Sequence, residues 1–280
     1  MGLRDMVVKL LEMYGENMLA MVHTRIDGWT ALDHAARNGH IEIVRLLAPI
    51  RLPATPRPTS SCRDYLGLAL IDATGAPTEI SEYLISIGAD VNYFDNNFRS
   101  GTALCYAVWS DNLALVRFLL VSGADPNLYK PDGYNPLLAA FRTQNTAIVR
   151  ALVDGGADIH VERIGLVLRC CTNIEILRLF LERGADPNPD EYTGHTLLHH
   201  ACIQENTEFA KASVEALLQF GVGLMTVEKL DLAGKTPVDL AMDGGLAEVV
   251  KILQPLVQNP GLRARVVMWL AGRTERQENV

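Results

Sequence analysis

At 280 residues the chain exceeds what a single compact core organises, so it holds two domains or one extended array. Its 49% apolar and 21% charged residues exclude a disordered chain. A formal charge of -8, spread along the sequence, repels phosphate backbones and argues against nucleic acid as a partner. The cysteines Cys62, Cys105, Cys170, Cys171 and Cys202 form no C-x-x-C pair, so a reducing compartment, cytoplasmic or nuclear, is expected instead of a disulfide framework. The first residues carry charge too early for a signal peptide, and no apolar run is long enough to span a membrane.

In chain order, MVVKLLEMYG from Met6 to Gly15 has the 3.6-residue apolar period of a helix, with no partner helix before it. GWTALDHAARNGH from Gly28 opens on Thr30, whose side-chain oxygen suits the orphan amides of a first helical turn. The proline-rich PIRLPATPRPTSSCR between Pro49 and Arg63 replaces a regular turn with an irregular loop. YLGLALIDATGAPTEISEYLISIG from Tyr65 keeps its apolar stripe but lacks the Thr opening. SGTALCYAVWSDN from Ser100, GYNPLLAAFRTQN from Gly133, GHTLLHHACIQEN from Gly194 and GKTPVDLAMDGGL from Gly234 repeat that opening. Thr102, Asn135, Thr196 and Thr236 are their expected N-caps, and Pro136 and Pro237 sit where no amide donor is needed.

Each opening leads to a longer apolar-striped helix, such as LALVRFLLVSG, TAIVRALVDGG and IEILRLFLERG. Glycine then provides the expected left-handed cap: GADVN at Gly88, GADPN at Gly123, GADIH at Gly156, GADPN at Gly184 and a weaker GVG at Gly221. These are separated by 35, 33, 28 and 37 residues, so one supersecondary unit recurs. The unit around Arg163 to Thr172 is short by about one helical turn, and ENTEFAKASVEALLQFG gains about as much. After Pro260 and Gly261, a final helix places Leu262, Val266, Trp269 and Leu270 close to one face. It reads either as a terminal cap or as an arginine-bearing amphipathic helix for a partner or membrane surface.

The combined pattern, clearest in DGWTALDHAARNGHIEIVRLLAPI from Asp27 to Ile50, resembles the ankyrin repeat. The resemblance implies an all-α ankyrin repeat solenoid of about seven helix-turn-helix units. The first unit is incomplete, residues 1–258 are in the array, and residues 259–280 form a capping helix and polar tail. The half-unit start also leaves room for the chain being part of a larger polypeptide.

Against that register the three histidines of GHTLLHH fall into three different positions. His199 aligns with the family's structural histidine, His200 with the next helical position, and His195 with the turn tip. They do not make a preformed ligand set, and zinc needs three or four converging donors; no metal and no cofactor are expected. His40 takes the family's Gly-His position and a structural role. Cys105, Cys170, Cys171 and Cys202 read as buried packing, and no phosphate loop or nucleophile–base pair is present. The chain is therefore not expected to be an enzyme.

The resemblance further implies a concave face, built from turn tips and first helices, that binds another protein. The positions carried over are Trp29, Tyr134, His195 and Lys235 at the turns, His34, Tyr106 and His200 on the helices, and Arg37, Trp109, Arg142 and Asp243 one turn later. Tyr106, Trp109, Tyr134 and Arg142, in adjacent units, form the preferred patch, because Trp, Tyr and Arg dominate interface energetics. A soluble monomer with a protein partner, and no membrane or nucleic-acid partner, is the expectation. The alternative is a small-molecule binder or enzyme whose pocket opens in that face, with His34, Tyr106, His195 or His200 as acid-base groups.

Overall fold

A computed structural model describes residues 2–14, 22–50, 65–94, 101–128, 135–159, 168, 171–186 and 194–277. The proline-rich stretch 51–64 and residues 160–167 of the short unit lie outside them. Among the described residues the chain is helical, and its only β-pairing is the isolated bridge Ile26–Trp29. No helix among them is long and apolar enough to cross a membrane. The chain divides into two compact units, Met1–Asp158 and Ile159–Val280.

The first unit contains α1 (Leu3–Tyr14), α2 (Ala31–Arg37), α3 (Ile41–Leu47), α4 (Tyr65–Asp72), α5 (Thr78–Ser86), α6 (Ala103–Trp109), α7 (Leu113–Val121), α8 (Pro136–Thr143) and α9 (Thr146–Asp154). From α2 onward the helices pair as hairpins, the first of each pair no longer than the second. The first helices of the pairs form an inner row in which α2 packs on α4, α4 on α6, and α6 on α8. Behind them α1 packs on α3, α3 on α5, and α7 on α9. Leu104, Leu115, Leu119, Leu137, Ile148 and Leu152 are fully buried between the rows, each worth about 1.5–3 kcal/mol relative to exposure.

The second unit contains α10 (Ile174–Glu182), α11 (Leu197–Cys202), α12 (Thr207–Gln219), α13 (Leu224–Val227), α14 (Pro237–Asp243), α15 (Ala247–Leu253) and α16 (Pro260–Gln277). Here α11 packs on α14, while α10, α12 and α15 form the layer behind. The last helix, α16, lies against α14 and α15 with Leu262 and Val266 buried and Trp269 and Leu270 half-buried.

Local chemistry sets the ends of these helices. The Thr30, Thr102, Asn135, Thr196 and Thr236 side chains each accept a backbone N–H three residues on, from Asp33, Cys105, Leu138, His199 and Asp239. Asp33 and Asp239 return the bond to the cap's own amide, closing capping boxes. At the far ends Gly88, Gly123, Gly156, Gly184 and Gly221 take φ between 87° and 97°, where a side chain would be strained. That reversal lets the following amide reach back to the helix, as Ala124 N–H does to the Leu119 carbonyl at 2.9 Å.

Successive repeats are joined by asparagines of the GADVN and GADPN turns. Asn92 accepts the Asp125 amide at 2.7 Å and donates to the Gly123 carbonyl at 3.0 Å. One repeat later Asn127 accepts the Asp158 amide at 2.7 Å and donates to the Gly156 carbonyl at 2.9 Å. Alanine at Asn127 removes both bonds at once, and because the site is exposed the expected loss is about 1 kcal/mol. A lowered urea midpoint with an unchanged slope is the predicted reading; an unmoved midpoint would show that the clamp does not stabilise the stack.

Candidate functional site

The threonine-capped inner helices turn two positions outward, four and seven residues after the cap, because three-and-four spacing returns to one helix face. Thr30 sets His34 and Arg37, Thr102 sets Tyr106 and Trp109, Thr196 sets His200 and Ile203, and Thr236 sets Leu240 and Asp243. The residue before each cap forms the turn tip, which puts Trp29, His195 and Lys235 beside those helices.

In the first unit Trp29, His34 and Arg37 come together. The Arg37 guanidinium lies over the Trp29 ring, 4.7 Å from its centroid, and the Trp29 and His34 rings stand 5.6 Å apart. His34 and Arg37 are exposed. On α6, Tyr106 meets Trp109 edge-to-face with centroids 4.9 Å apart. Trp109 is 44% exposed on a helix whose Ala103, Leu104, Cys105, Ala107 and Val108 are all buried. Between these clusters α4 contributes nothing outward, since every residue from Leu66 to Thr74 is buried. A Cβ on Gly67 would run into the Tyr93 ring, so only glycine allows that side chain to lie on α4. Tyr134 and the side chain of Arg142 lie outside the described residues; at the position equivalent to His34, α8 carries buried Ala139.

In the second unit the histidines divide by chemistry. His199 is fully buried: its Nδ1 accepts the Thr196 amide at 3.1 Å, and its Nε2 is 3.3 Å from the Lys235 carbonyl, to which it donates. Both nitrogens are used in tying one repeat to the next, and the neutral ring supplies one acceptor and one donor. Burial, with the neighbouring His195 adding to it, holds the imidazole below its ordinary value of 6.5 against the opposing pull of the Lys235 carbonyl.

His195 is half-exposed, with Nε2 3.3 Å from Asp231 Oδ2. Asp231 braces its own turn: the Lys235 and Ala233 amides donate to Oδ1 at 2.9 and 2.8 Å and hold the carboxyl below the usual range, Lys235 foremost. The His200 ring stands 5.4 Å from that of His195. The Lys235 ammonium is 2.7 Å from Asp243, so two of the expected contact residues are paired with each other. Among the described residues no three His, Cys, Asp or Glu side chains converge as a metal site. The expected acid-base groups do not form one cluster: His34 and Tyr106 pack on tryptophans in the first unit, while His195 and His200 belong to the second.

His40 is the N-cap residue of α3, and its carbonyl accepts the Ile43 and Val44 amides. Its backbone N–H bonds the Ala35 carbonyl, but the exposed side chain caps nothing at the start of α3. Cys105 and Cys202 are buried as expected, with burial raising both thiols and pushing Cys202 up to about 12. Cys62 and Cys170 lie outside the described residues. Sequence reading missed Ile203, 47% exposed at the register position of Arg37 and Trp109; counting seven from Thr196 finds it. It also missed Leu230 and Leu232, exposed on either side of Asp231.

Matches to the family described as Ankyrin repeats (3 copies) cover residues 2–95, 67–163 and 166–263. The chain belongs to the ankyrin repeat family. An L-asparaginase of Dirofilaria immitis is 30% identical over 141 residues, 49% of this chain but only 24% of that protein. The ankyrin repeat protein YahD of Escherichia coli is 26% identical over 176 residues, 60% of this chain and 85% of its own length. The crystal structure of the human ASB11 ankyrin repeat domain superposes with a TM-score of 0.54 at 20% identity, covering 86% of this chain and 98% of that one. This last likeness shows the fold. Ankyrin repeats are general protein-interaction modules, and nothing in these matches shows catalysis.

The lowered His199 value gives a signed prediction. As pH falls below 6.5 the unfolded chain takes the proton first, so the contribution of the neutral ring is complete above 6.5 and is lost as pH drops through the lowered folded value. The urea midpoint of the wild type is expected to rise from about pH 5 to about pH 7.5. His199→Leu should flatten that component of the profile while costing about 1–3 kcal/mol at neutral pH from the unpaired Thr196 amide and Lys235 carbonyl. A profile of the same slope in both proteins would show that His199 does not titrate this way.

Proposed function

We propose that this chain binds a partner protein through the outward face of its inner helices. The contact set is Trp29, His34, Arg37, Tyr106 and Trp109 in the first unit, with Tyr134 and Arg142 added from the sequence pattern alone, and His195, His200, Ile203 and Lys235 in the second. The observation that carries the reading is exposed Trp109, stacked edge-to-face on half-buried Tyr106, on an otherwise buried helix. A rigid aromatic edge held in water without structural need is costly to keep unless something covers it. The Trp29–Arg37 stack supports it, since a guanidinium laid on an indole presents a flat cationic surface to an acidic side chain. The helices are already fixed by their caps and neighbours, so association orders little backbone and the anchors supply the affinity. The asparaginase is matched over only 24% of its length, and no chemistry is carried over from it.

The test is affinity purification from the native cell with quantitative mass spectrometry, comparing wild type with Trp109→Ala and with Trp29→Ala/Arg37→Ala. Both variants should keep the wild-type helical melting curve, because the truncated side chains leave the core untouched. Specific partners should be depleted about tenfold or more. An identical partner list in all three proteins would put the binding surface elsewhere.

A further inference from the structure

We infer that the Ile26–Trp29 turn and the end of α2 together form a docking site for a short extended segment of the partner protein, one that carries an aliphatic residue two places from a glutamate or aspartate. The inference rests on the reading that the inner-helix face binds protein, and it extends that face to Ile26, which belongs to no helix. Residues Ile26 to Trp29 close a two-residue hairpin: the Ile26 amide donates to the Trp29 carbonyl at 2.9 Å, and the Trp29 amide to the Ile26 carbonyl at 3.0 Å. Asp27 and Gly28 between them take φ of 53° and 86°, the pair of positive values that this tight turn requires and that Asp-Gly supplies readily. The hairpin is therefore fixed before any ligand arrives. A directly opposed pair stands on one face of its two strands, so Ile26, 70% exposed, is set beside the Trp29 ring.

Charge selects the ligand. The Arg37 guanidinium lies over the Trp29 ring at 4.7 Å, and no carboxylate among the described residues pairs with it. A guanidinium lying on a ring points its N–H groups sideways along the surface, so the fork that fits a carboxylate stays open. His34, exposed and 5.6 Å from the same ring, adds a further N–H at that edge. The acidic residues of this stretch do not close the site. Asp33 is fully buried with Oδ2 on the Thr30 amide, and exposed Asp27 is outnumbered by exposed Arg25 and Arg37. A local cationic excess on a chain of formal charge -8 draws an acidic segment to this edge. Geometry then sets the spacing. Opposed Cα atoms of such a hairpin pair are about 5.5 Å apart, and Arg37 stands 4.7 Å from the ring centroid, so the aliphatic and cationic contacts lie within about 10 Å of each other. Residues on one face of an extended ligand are two apart and about 6.5–7 Å distant, and the reach of a carboxylate side chain covers the rest.

The probe is a displayed library of random peptides of about twelve residues, enough to span the site in extended form, panned against wild type, Arg37→Glu, Ile26→Thr and Trp109→Ala. All three changes fall on exposed side chains, so the helical melting curves should match wild type, and threonine keeps the strand preference of the hairpin. Wild type should enrich Asp or Glu about tenfold at one position, with Leu, Ile or Val two places away. Arg37→Glu should invert that position to Lys or Arg, and Ile26→Thr should remove the aliphatic preference while keeping the acid. A synthetic copy of the leading peptide, followed by fluorescence anisotropy, should lose about tenfold in affinity when its acidic residue is changed to the amide. Selected peptides without acid enrichment, or with the same acid preference in Arg37→Glu, would overturn this assignment; if those peptides are lost in Trp109→Ala, the inner-helix face still binds protein and only the ligand chemistry is wrong. Enrichment of no peptide, or of peptides indifferent to all three changes, would overturn both the site and the reading on which it rests.

Discussion

Asn92 and Asn127 each hold the backbone of the following repeat by one accepted and one donated bond, and the rest of the first unit depends on the spacing this fixes. A single helix pair buries only one of its two flanks; the other is covered by the next pair, so the apolar core is continuous only while successive hairpins keep register. The side-chain amide is suited to the task because it offers donor and acceptor at once on one planar fork, which an acceptor-only carboxylate does not. In the second unit His199 solves the same problem at the helix end, joining the Thr196 amide on one side to the Lys235 carbonyl on the other. Polar groups at the margins therefore set the register, and leucine, isoleucine and valine in the interior supply most of the free energy.

This division of labour separates stability from recognition. Caps, glycines and buried leucines occupy fixed places in each repeat, while the positions four and seven after the cap face outward and carry His34, Arg37, Tyr106, Trp109, His200, Ile203 and Asp243. Their chemical variety contrasts with the sameness of the caps behind them. Lys235 and Asp243 spend their charges on each other, so a partner at that end meets a neutralised pair, whereas Arg37 over Trp29 remains a cationic surface.

Much of this was legible in the sequence because it is local. Thr30, Thr102, Asn135, Thr196 and Thr236 announce helix starts, the GAD glycines announce ends, and both signals act within a few residues of chain. The fold class followed from their recurrence. What was not legible depends on residues distant in sequence: that His195 leans on Asp231, that Lys235 pairs with Asp243, that Tyr93 covers Gly67, and that α4 is buried from Leu66 to Asp72. The first helix also begins at Leu3, before the Met6 suggested by its apolar run, because Asp5 is a good first-turn residue whose carboxylate accepts the Gly2 amide, which hydrophobic periodicity alone does not register. Ile203 was hidden for the opposite reason: an isoleucine reads as core until its place is counted from the cap.

Helix α4, buried from Leu66 to Asp72, sets the two aromatic clusters of the first unit apart. With neighbouring helix axes 8–10 Å from each other, Trp29–Arg37 and Tyr106–Trp109 are separated by roughly 16–20 Å. A ligand that grips both must carry two footholds joined by a tether of about five or six extended residues, so its strength would come from effective concentration at the second foothold once the first is engaged. Such bipartite recognition tolerates almost any sequence in the tether and is sensitive above all to its length.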